Sequence, residues 1–325
     1  MTEDVTGYQI VHRDEPTMYF FGVTTSRSAI MSVFPVWAEI LRLDRAQLIG
    51  VDLPLHADAE LYRKAVAQIK FDALSLGALV TTHKIDVLEA AGDMFDEFDK
   101  YARLCGDLSC ISKQENRLIG HAKDPIAAGS SLQHIFEPGY WERTGGHVLC
   151  IGAGGSAISI AYYLMTRPNP GDRPKRIVVV NRSQPRLDKL RAIVAELPPT
   201  IEVEYILNED PVRNDKIMSD LPAGSMVINA TGMGKDRPGS PITDDGVFPM
   251  RGIAWELNYR GELDFMHQAM AQERQRNLTI HDGWQYFLYG WSGHIAEVFH
   301  KEITDDLFDQ LAKAAEVIRP SPDSR

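Results

Sequence analysis

Apolar positions along this chain follow two rhythms. Short, nearly continuous apolar runs alternate with stretches in which apolar residues recur about every 3.6 positions. Tyr19–Val23 predicts a strand, closed by the polar turn Thr24-Thr25-Ser26-Arg27-Ser28. Ile30, Val33, Phe34, Trp37, Ile40 and Leu41 then mark one face of a helix. Gln47–Leu55 reads as strand, Ala59–Gln68 as helix, Asp72–Val80 as strand and Ile85–Phe98 as helix. This alternation implies parallel strands covered by helices. It lapses at Ser109–Ser112 and Arg117–Gly120, which predict a hairpin, followed by a linking helix near Ile126–Ile135. From about Gly145 a second series begins, with strands at His147–Ile151, Arg176–Val180, Ile201–Ile206, Met226–Ala230 and Gly252–Leu257. Helices between them make a doubly wound, Rossmann-type pattern. Beyond Leu263 the helical stretches are Phe265–Glu273, Trp284–His300 and Asp305–Val317, before a frayed PSPDSR end.

Length and composition narrow the class. A chain of 325 residues exceeds what one core usually supports, so two domains are expected. A net charge of −11 argues against nucleic acid as the main partner, because phosphate neutralisation needs basic surface. Cys105, Cys110 and Cys150 suggest neither paired disulfides nor a metal site, and Cys150 reads as a core residue in a reducing, cytoplasmic setting. His83, His121, His294 and His300 have no metal-ligand spacing either. The acidic start MTEDVTGYQI is not a signal peptide, and no run of about 18 apolar residues offers a membrane span.

The chemistry concentrates after His147–Ile151. There Gly152-Ala153-Gly154-Gly155-Ser156-Ala157 turns a strand tightly into a helix. Such a turn leaves backbone N–H groups at the helix N-terminus, where they and the helix dipole hold a pyrophosphate. The next strand ends in Asn181-Arg182-Ser183, with Arg186 shortly after. A guanidinium here can grip a 2′-phosphate, whereas the acid in the expected window, Asp172, lies in a Pro/Gly loop before the strand. NADP is therefore favoured over NAD. Asn229-Ala230-Thr231-Gly232-Met233-Gly234 closes the fourth strand with a polar turn placed to line the nicotinamide pocket.

Taken together, these segments make the chain resemble the shikimate dehydrogenases and their quinate and shikimate-dehydrogenase-like relatives, nearly end to end. The glycine turn, Asn181-Arg182-Ser183 and INATGMG are each similar to a motif of that family. The resemblance implies a substrate domain at 1–125, a Rossmann NADP domain at 126–260, and helices at 261–325 packing back on the first domain. Ser26-Arg27-Ser28 resembles the paired-serine motif that binds the substrate carboxylate; by itself it is equally a helix cap. Leu79–Lys84 looks like the segment ending in the catalytic lysine, so Lys84 inherits the acid–base role. A lysine opening a helix faces the positive end of the dipole, which disfavours its charged form and suits proton exchange near neutral pH. Asp124 aligns with the aspartate that partners that lysine, and Tyr259 with a tyrosine near the substrate pocket.

Departures from the family accompany these matches. Ala78 and Val80 replace Asn and Thr upstream of the lysine, and Ser109 replaces an asparagine that contacts substrate hydroxyls. Pro125 follows Asp124 in place of Gly, and Gly290 falls where a glutamine is expected. Loss of hydroxyl-directed donors changes which ring fits. The expectation is an NADP-dependent oxidoreductase acting on a secondary alcohol or ketone of a cyclic, carboxylated, shikimate-like compound, as monomer or homodimer. Genuine shikimate or quinate dehydrogenase activity and a catalytically silent NADP-binding regulator are the alternatives.

Overall fold

A computed structural model describes residues 2–235 and 237–320; the last five positions of the expected frayed end lie outside the described residues. The chain divides into two compact units. The first holds the chain up to Lys123 together with Gly290–Arg319. It opens with a hairpin of β1 (Thr2–Val5) and β2 (Tyr8–Val11). There follow β3 (Thr17–Gly22), α1 (Ile30–Ile40), β4 (Gln47–Asp52), α2 (Ala59–Phe71), β5 (Ser75–Val80) and α3 (Lys84–Ala91). The unit continues with β6 (Glu97–Phe98), α4 (Lys100–Cys105), β7 (Cys110–Gln114) and β8 (Arg117–His121). Among the described residues its sheet runs β4-β3-β5-β7-β8-β6, parallel across β4, β3 and β5 and antiparallel where β7 joins β5 and β8. Every residue of β3 is buried, as a central strand covered on both faces requires. Phe21, Ala78, Val80 and Ile111 of the sheet pack with Tyr62, Val66 and Ile69 of α2 and Val87 of α3.

The second unit runs from Asp124 to Tyr289. It contains α5 (Asp124–Ile135), α6 (Tyr140–Thr144), β9 (Val148–Ile151), α7 (Gly155–Met165), β10 (Arg176–Asn181) and α8 (Gln184–Ala195). Then come β11 (Glu202–Leu207), α9 (Pro211–Ser219), β12 (Met226–Asn229), β13 (Ile253–Glu256), α10 (Asp264–Arg276) and β14 (Thr279–His281). Its sheet is parallel in the order β11-β10-β9-β12-β13-β14. The order reverses between β9 and β12, the switch point beyond whose carboxyl ends open α/β sheets bind ligands. Leu149, Val180, Val227 and Ala254 fill its core with Phe248, Phe265 and Met218. α11 (Trp284–Val298) crosses the division, and α12 (Asp305–Glu316) belongs to the first unit, where Trp37 Nε1 donates to the Leu311 carbonyl at 2.8 Å.

The division differs from the expected boundary at 260. β14 adds a sixth strand to the second sheet, and Phe265 and Ala269 of α10 bury themselves in that sheet's core, so these elements stay with the second unit. Of the chain beyond residue 260, Gly290–Arg319 belongs to the first unit. The helix expected at Ile85–Phe98 stops at Ala91 and gives way to a single 3-10 turn, Gly92–Met94, before β6.

Candidate functional site

On the first unit, the expected substrate residues gather past the carboxyl ends of β3 and β5. Thr25 anchors the turn after β3: its N–H and its hydroxyl both donate to Asp52 Oδ1 at 2.7 Å, holding the Asp52 carboxyl below its ordinary range. Gly50 on β4 makes room for this, since a Cβ there would lie 2.2 Å from Thr25 Oγ1. The anchored turn presents Ser26 exposed and Ser28 half-buried. Neither hydroxyl has a hydrogen-bond partner among the described residues, and the α1 N-cap is Ala29, so the serines do not cap that helix. Lys84 is the first residue of α3. Its N–H donates to the Thr81 carbonyl at 3.1 Å and its carbonyl accepts from Leu108 at 3.2 Å, while Thr81 N–H donates to Phe21. The lysine backbone is thereby tied to the end of β3 and to the approach of β7.

Behind the lysine the sequence reading missed a buried histidine. His83 is fully buried, with Nδ1 3.0 Å from the Tyr62 hydroxyl, which also donates to Asp86 Oδ2 at 3.2 Å. Burial lowers the His83 pKa, so it stays neutral. Ser109, expected against substrate, is instead 1% exposed, and its hydroxyl accepts the Lys123 N–H at 2.8 Å. Its work is to hold the chain immediately before Asp124, which opens α5. The Lys123 ammonium pairs with Glu297, whose other carboxylate oxygen lies 3.4 Å from His121 Nε2.

On the second unit, the glycine turn sits at the switch point. Gly152 N–H donates to Val180 at 2.8 Å, and Ala230 N–H donates to Ile151 at 2.8 Å, pinning the turn between β10 and β12. Gly152 has φ +122°, and a Cβ there would meet the Ala230 carbonyl oxygen at 2.4 Å, so only glycine fits. Gly154, by contrast, has open space where a Cβ would be, and it caps α7 with no side chain covering the first N–H groups. A tight turn below and an open, uncapped helix start above, carrying Gly155, Ser156 and Ala157, suit a pyrophosphate.

At the end of β10, Asn181 Oδ1 accepts from Ser183 N–H at 2.8 Å, shaping the turn into α8. Arg182 and Arg186 are exposed, with no ion pair or hydrogen bond among the described residues. Asp172 is taken up elsewhere, accepting from Gly139 N–H at 2.6 Å and pairing with Arg167, so it offers no carboxylate to a ribose. Asn229 is fully buried. Its side chain is committed within the protein: Nδ2 donates to Glu256 Oε2 at 2.6 Å and to the Met233 carbonyl at 3.2 Å, while Oδ1 accepts from Thr231 N–H and hydroxyl. Ala230, Thr231, Gly232 and Met233 remain half-buried at the strand ends. Glu256 and Asn258, also fully or nearly buried here, were not legible as site residues, because only the folded sheet brings them to Asn229. Tyr259 joins an aromatic group, with ring centroids 5.4 Å from Trp284 and 4.7 Å from Phe287. Among the described residues, no three His, Cys, Asp or Glu side chains are grouped to hold a metal ion, and no helix is long and apolar enough to cross a membrane.

Comparison with known proteins gives the following. No protein-family model matches the chain. Shikimate dehydrogenase (NADP(+)) of Methanothrix thermoacetophila is 31% identical over 226 residues, covering 69% of this chain and 73% of that protein. The alignments to curated relatives span 52 to 74% of those proteins' lengths. Among solved structures, shikimate 5-dehydrogenase from Listeria monocytogenes, in complex with shikimate and NAD, superposes with TM-score 0.68 at 18% identity, covering 96% of this chain and 99% of that one. A 5-ketofructose reductase from Gluconobacter superposes with TM-score 0.65 at 19% identity, covering 94% and 99%.

Proposed function

Because the chain belongs to the shikimate dehydrogenase family, we propose that it is an NADP-dependent oxidoreductase acting on a secondary alcohol or ketone of a cyclic, carboxylated, shikimate-like compound. The observation that carries this reading is the second unit's switch point. There an uncapped helix start over Gly152–Gly155 stands beside two exposed guanidiniums, Arg182 and Arg186. The glycine turn and the first N–H groups of α7, with Ser156 and Ala157, hold the pyrophosphate. Arg182, Ser183 and Arg186 take the 2′-phosphate, which needs donors and repels carboxylates. Ala230, Thr231 and Met233 line the nicotinamide end. When bound, NADP supplies or accepts the hydride.

On the substrate side, Ser26 and Ser28 offer hydroxyl donors to the carboxylate from a turn that Asp52 keeps rigid. Lys84 gives a proton to the substrate oxygen on reduction and takes it back on oxidation. The family resemblance carries Asp124 over as the carboxylate that assists proton exchange and Tyr259 as a substrate-side residue. Ser109 acts one step back, fixing Lys123 and hence the start of α5.

Ser109 and Gly290 stand where hydroxyl-directed amides are expected, which favours a substrate with fewer or differently placed ring hydroxyls than shikimate. Spectrophotometric turnover with shikimate, quinate and analogues lacking single hydroxyls, each with NADP and NAD, tests this. The expected result is NADP-linked turnover that is best on an analogue. Best turnover on shikimate or quinate establishes the second reading, a genuine shikimate or quinate dehydrogenase, which the relatives' names favour. NADP binding without turnover of any cyclic alcohol leaves a silent binding protein.

A further inference from the structure

Glu256 is an expensive residue for its position. It ends β13, one strand from the switch point, and is fully buried with no positive side chain bonded to it. A carboxyl in such a place is costly unless its oxygens are engaged. Its hydrogen bonds among the described residues are all from two asparagines. Oε2 accepts from Asn229 Nδ2 at 2.6 Å; Oε1 accepts from Asn258 N–H at 2.8 Å and from Asn258 Nδ2 at 2.6 Å. Each asparagine then turns its amide nitrogen to the same further acceptor, the Met233 carbonyl, at 3.2 Å from Asn229 and 3.0 Å from Asn258. With its nitrogen so committed, Asn229 presents Oδ1 to Thr231, accepting from its N–H at 3.1 Å and its hydroxyl at 2.6 Å; that hydroxyl in turn accepts from Met233 N–H at 3.1 Å. The turn after β12 is thus clamped at both ends, and every donor and acceptor in the clamp is oriented by the carboxylate. On the outer side of the turn, Gly232 has φ +77° and nothing within 4 Å of where a Cβ would lie.

We propose that Glu256 is a positioning residue for the nicotinamide end of the bound dinucleotide. By taking one side-chain amide hydrogen from each of Asn229 and Asn258, it aims both amides at the Met233 carbonyl and so sets the shape of Ala230–Met233. The proposal rests on the NADP reading given above. It also explains why an apolar residue, cheaper to bury, does not occupy the position.

The chemistry of the clamp makes it sensitive to protonation. Burial pushes the Glu256 carboxyl up to about 7, against the downward pull of Asn258 and Asn229. Asp282, just past β14, is the charged group whose field acts on it, and it acts in the same direction as burial. A protonated Glu256 brings a hydrogen into a site where Asn229 already offers one. Asn229 can answer only by reversing its amide, which sets N–H against the Thr231 N–H and oxygen against the Met233 carbonyl. Glu256→Gln is a permanent copy of that protonated form, with one acceptor and one donor. Adding Asn229→Asp restores the match, since the new carboxylate accepts from the introduced amide nitrogen while its second oxygen still receives Thr231, although it gives up one of the two grips on Met233.

The test is equilibrium binding of NADPH and of adenosine 2′,5′-bisphosphate, which lacks the nicotinamide end, to the full chain between about pH 6 and pH 8. Wild type, Glu256→Gln, Asn229→Asp and the double variant are compared. At the upper pH, Glu256→Gln is expected to weaken NADPH about tenfold, the usual consequence of leaving a buried donor unmatched. Its affinity for the bisphosphate stays that of wild type, a split that a general loss of structure does not produce. The double variant recovers most of the NADPH loss. In wild type, NADPH affinity relative to the bisphosphate falls as the pH drops through about 7, and in Glu256→Gln that ratio is flat. Should Glu256→Gln fail to fold, the wild-type ratio against pH decides alone. Equal NADPH affinity in wild type and Glu256→Gln, parallel losses for both ligands, or a flat wild-type ratio each overturn the proposal while leaving the NADP reading in place. A wild-type chain that binds neither ligand overturns both.

Discussion

The buried carboxyl of Glu256 has a consequence for stability that is independent of any ligand. Its pKa rises from 4.5 for the free group to about 7 in the folded chain, chiefly through burial. Between those two values the folded chain binds a proton that the unfolded chain has released, so stability falls as pH rises. A separation of about 2.5 pH units at about 1.4 kcal/mol each gives roughly 3 kcal/mol, most of it spent between about pH 5 and pH 7. Other groups titrate with the opposite sign. His83, His147 and His281 are held below the usual histidine range by burial, so in the folded chain they stay neutral and stability rises with pH through the histidine range. The carboxyls of Asp52, Asp99 and Glu297, held low by their hydrogen-bond and ion-pair partners, matter only at more acidic pH. Subtracting the curve of Glu256→Gln from that of wild type cancels these shared contributions. Urea unfolding at a series of pH values should show Glu256→Gln close to wild type near pH 5, where wild type carries the proton that the variant copies. The difference between the two should then shift by about 2–3 kcal/mol in favour of the variant between pH 5 and pH 8. Parallel curves would refute the assignment of a raised pKa to this side chain.

Further substitutions test other parts of the site. Gly152→Ala places a Cβ 2.4 Å from the Ala230 carbonyl at φ +122°, which should cost about 2–5 kcal/mol and lower the Tm by roughly 5–15 °C; an unchanged melting curve would mean that the turn is looser than described. Arg182→Ala should weaken NADP by about 10- to 100-fold and leave NAD unaffected, as read by the ratio of the two dissociation constants; equal losses for both would place the guanidinium elsewhere. Ser26→Ala and Ser28→Ala should each raise KM for a carboxylated substrate about tenfold with kcat little changed, and an unaltered KM in both would remove the serines from the carboxylate site.

Much of the architecture is written in local pattern. β9, β10, β12 and β13 are buried along their central residues and appear in the sequence as continuous apolar runs, which is how parallel strands covered on both faces must read. The β1–β2 hairpin escaped notice because TEDV and YQIV are mostly exposed and carry no such run. β14 is a three-residue strand, half-exposed, recognisable only once it pairs with β13. Glycine turns and exposed arginines could be found because their chemistry is local to a strand end. The roles of Ser109, Asn229 and Glu256 could not, since each depends on a partner distant in sequence: Lys123 meets Ser109, and Asn229 meets Glu256, only through the sheets. Ser109 and Asn229 are expected to touch ligand; both are buried and hydrogen-bonded within the protein, to Lys123 and to Glu256 with Thr231.

In the proposed reaction Lys84 exchanges the proton that accompanies hydride transfer. Its most direct test is kcat for NADP-linked oxidation of the best cyclic hydroxy acid by wild type and Lys84→Met, with NADPH binding measured on the same preparations. Lys84→Met is expected to lose about 10²- to 10⁴-fold in kcat with NADPH affinity unchanged. A Lys84→Met protein that turns over substrate at the wild-type rate would contradict it.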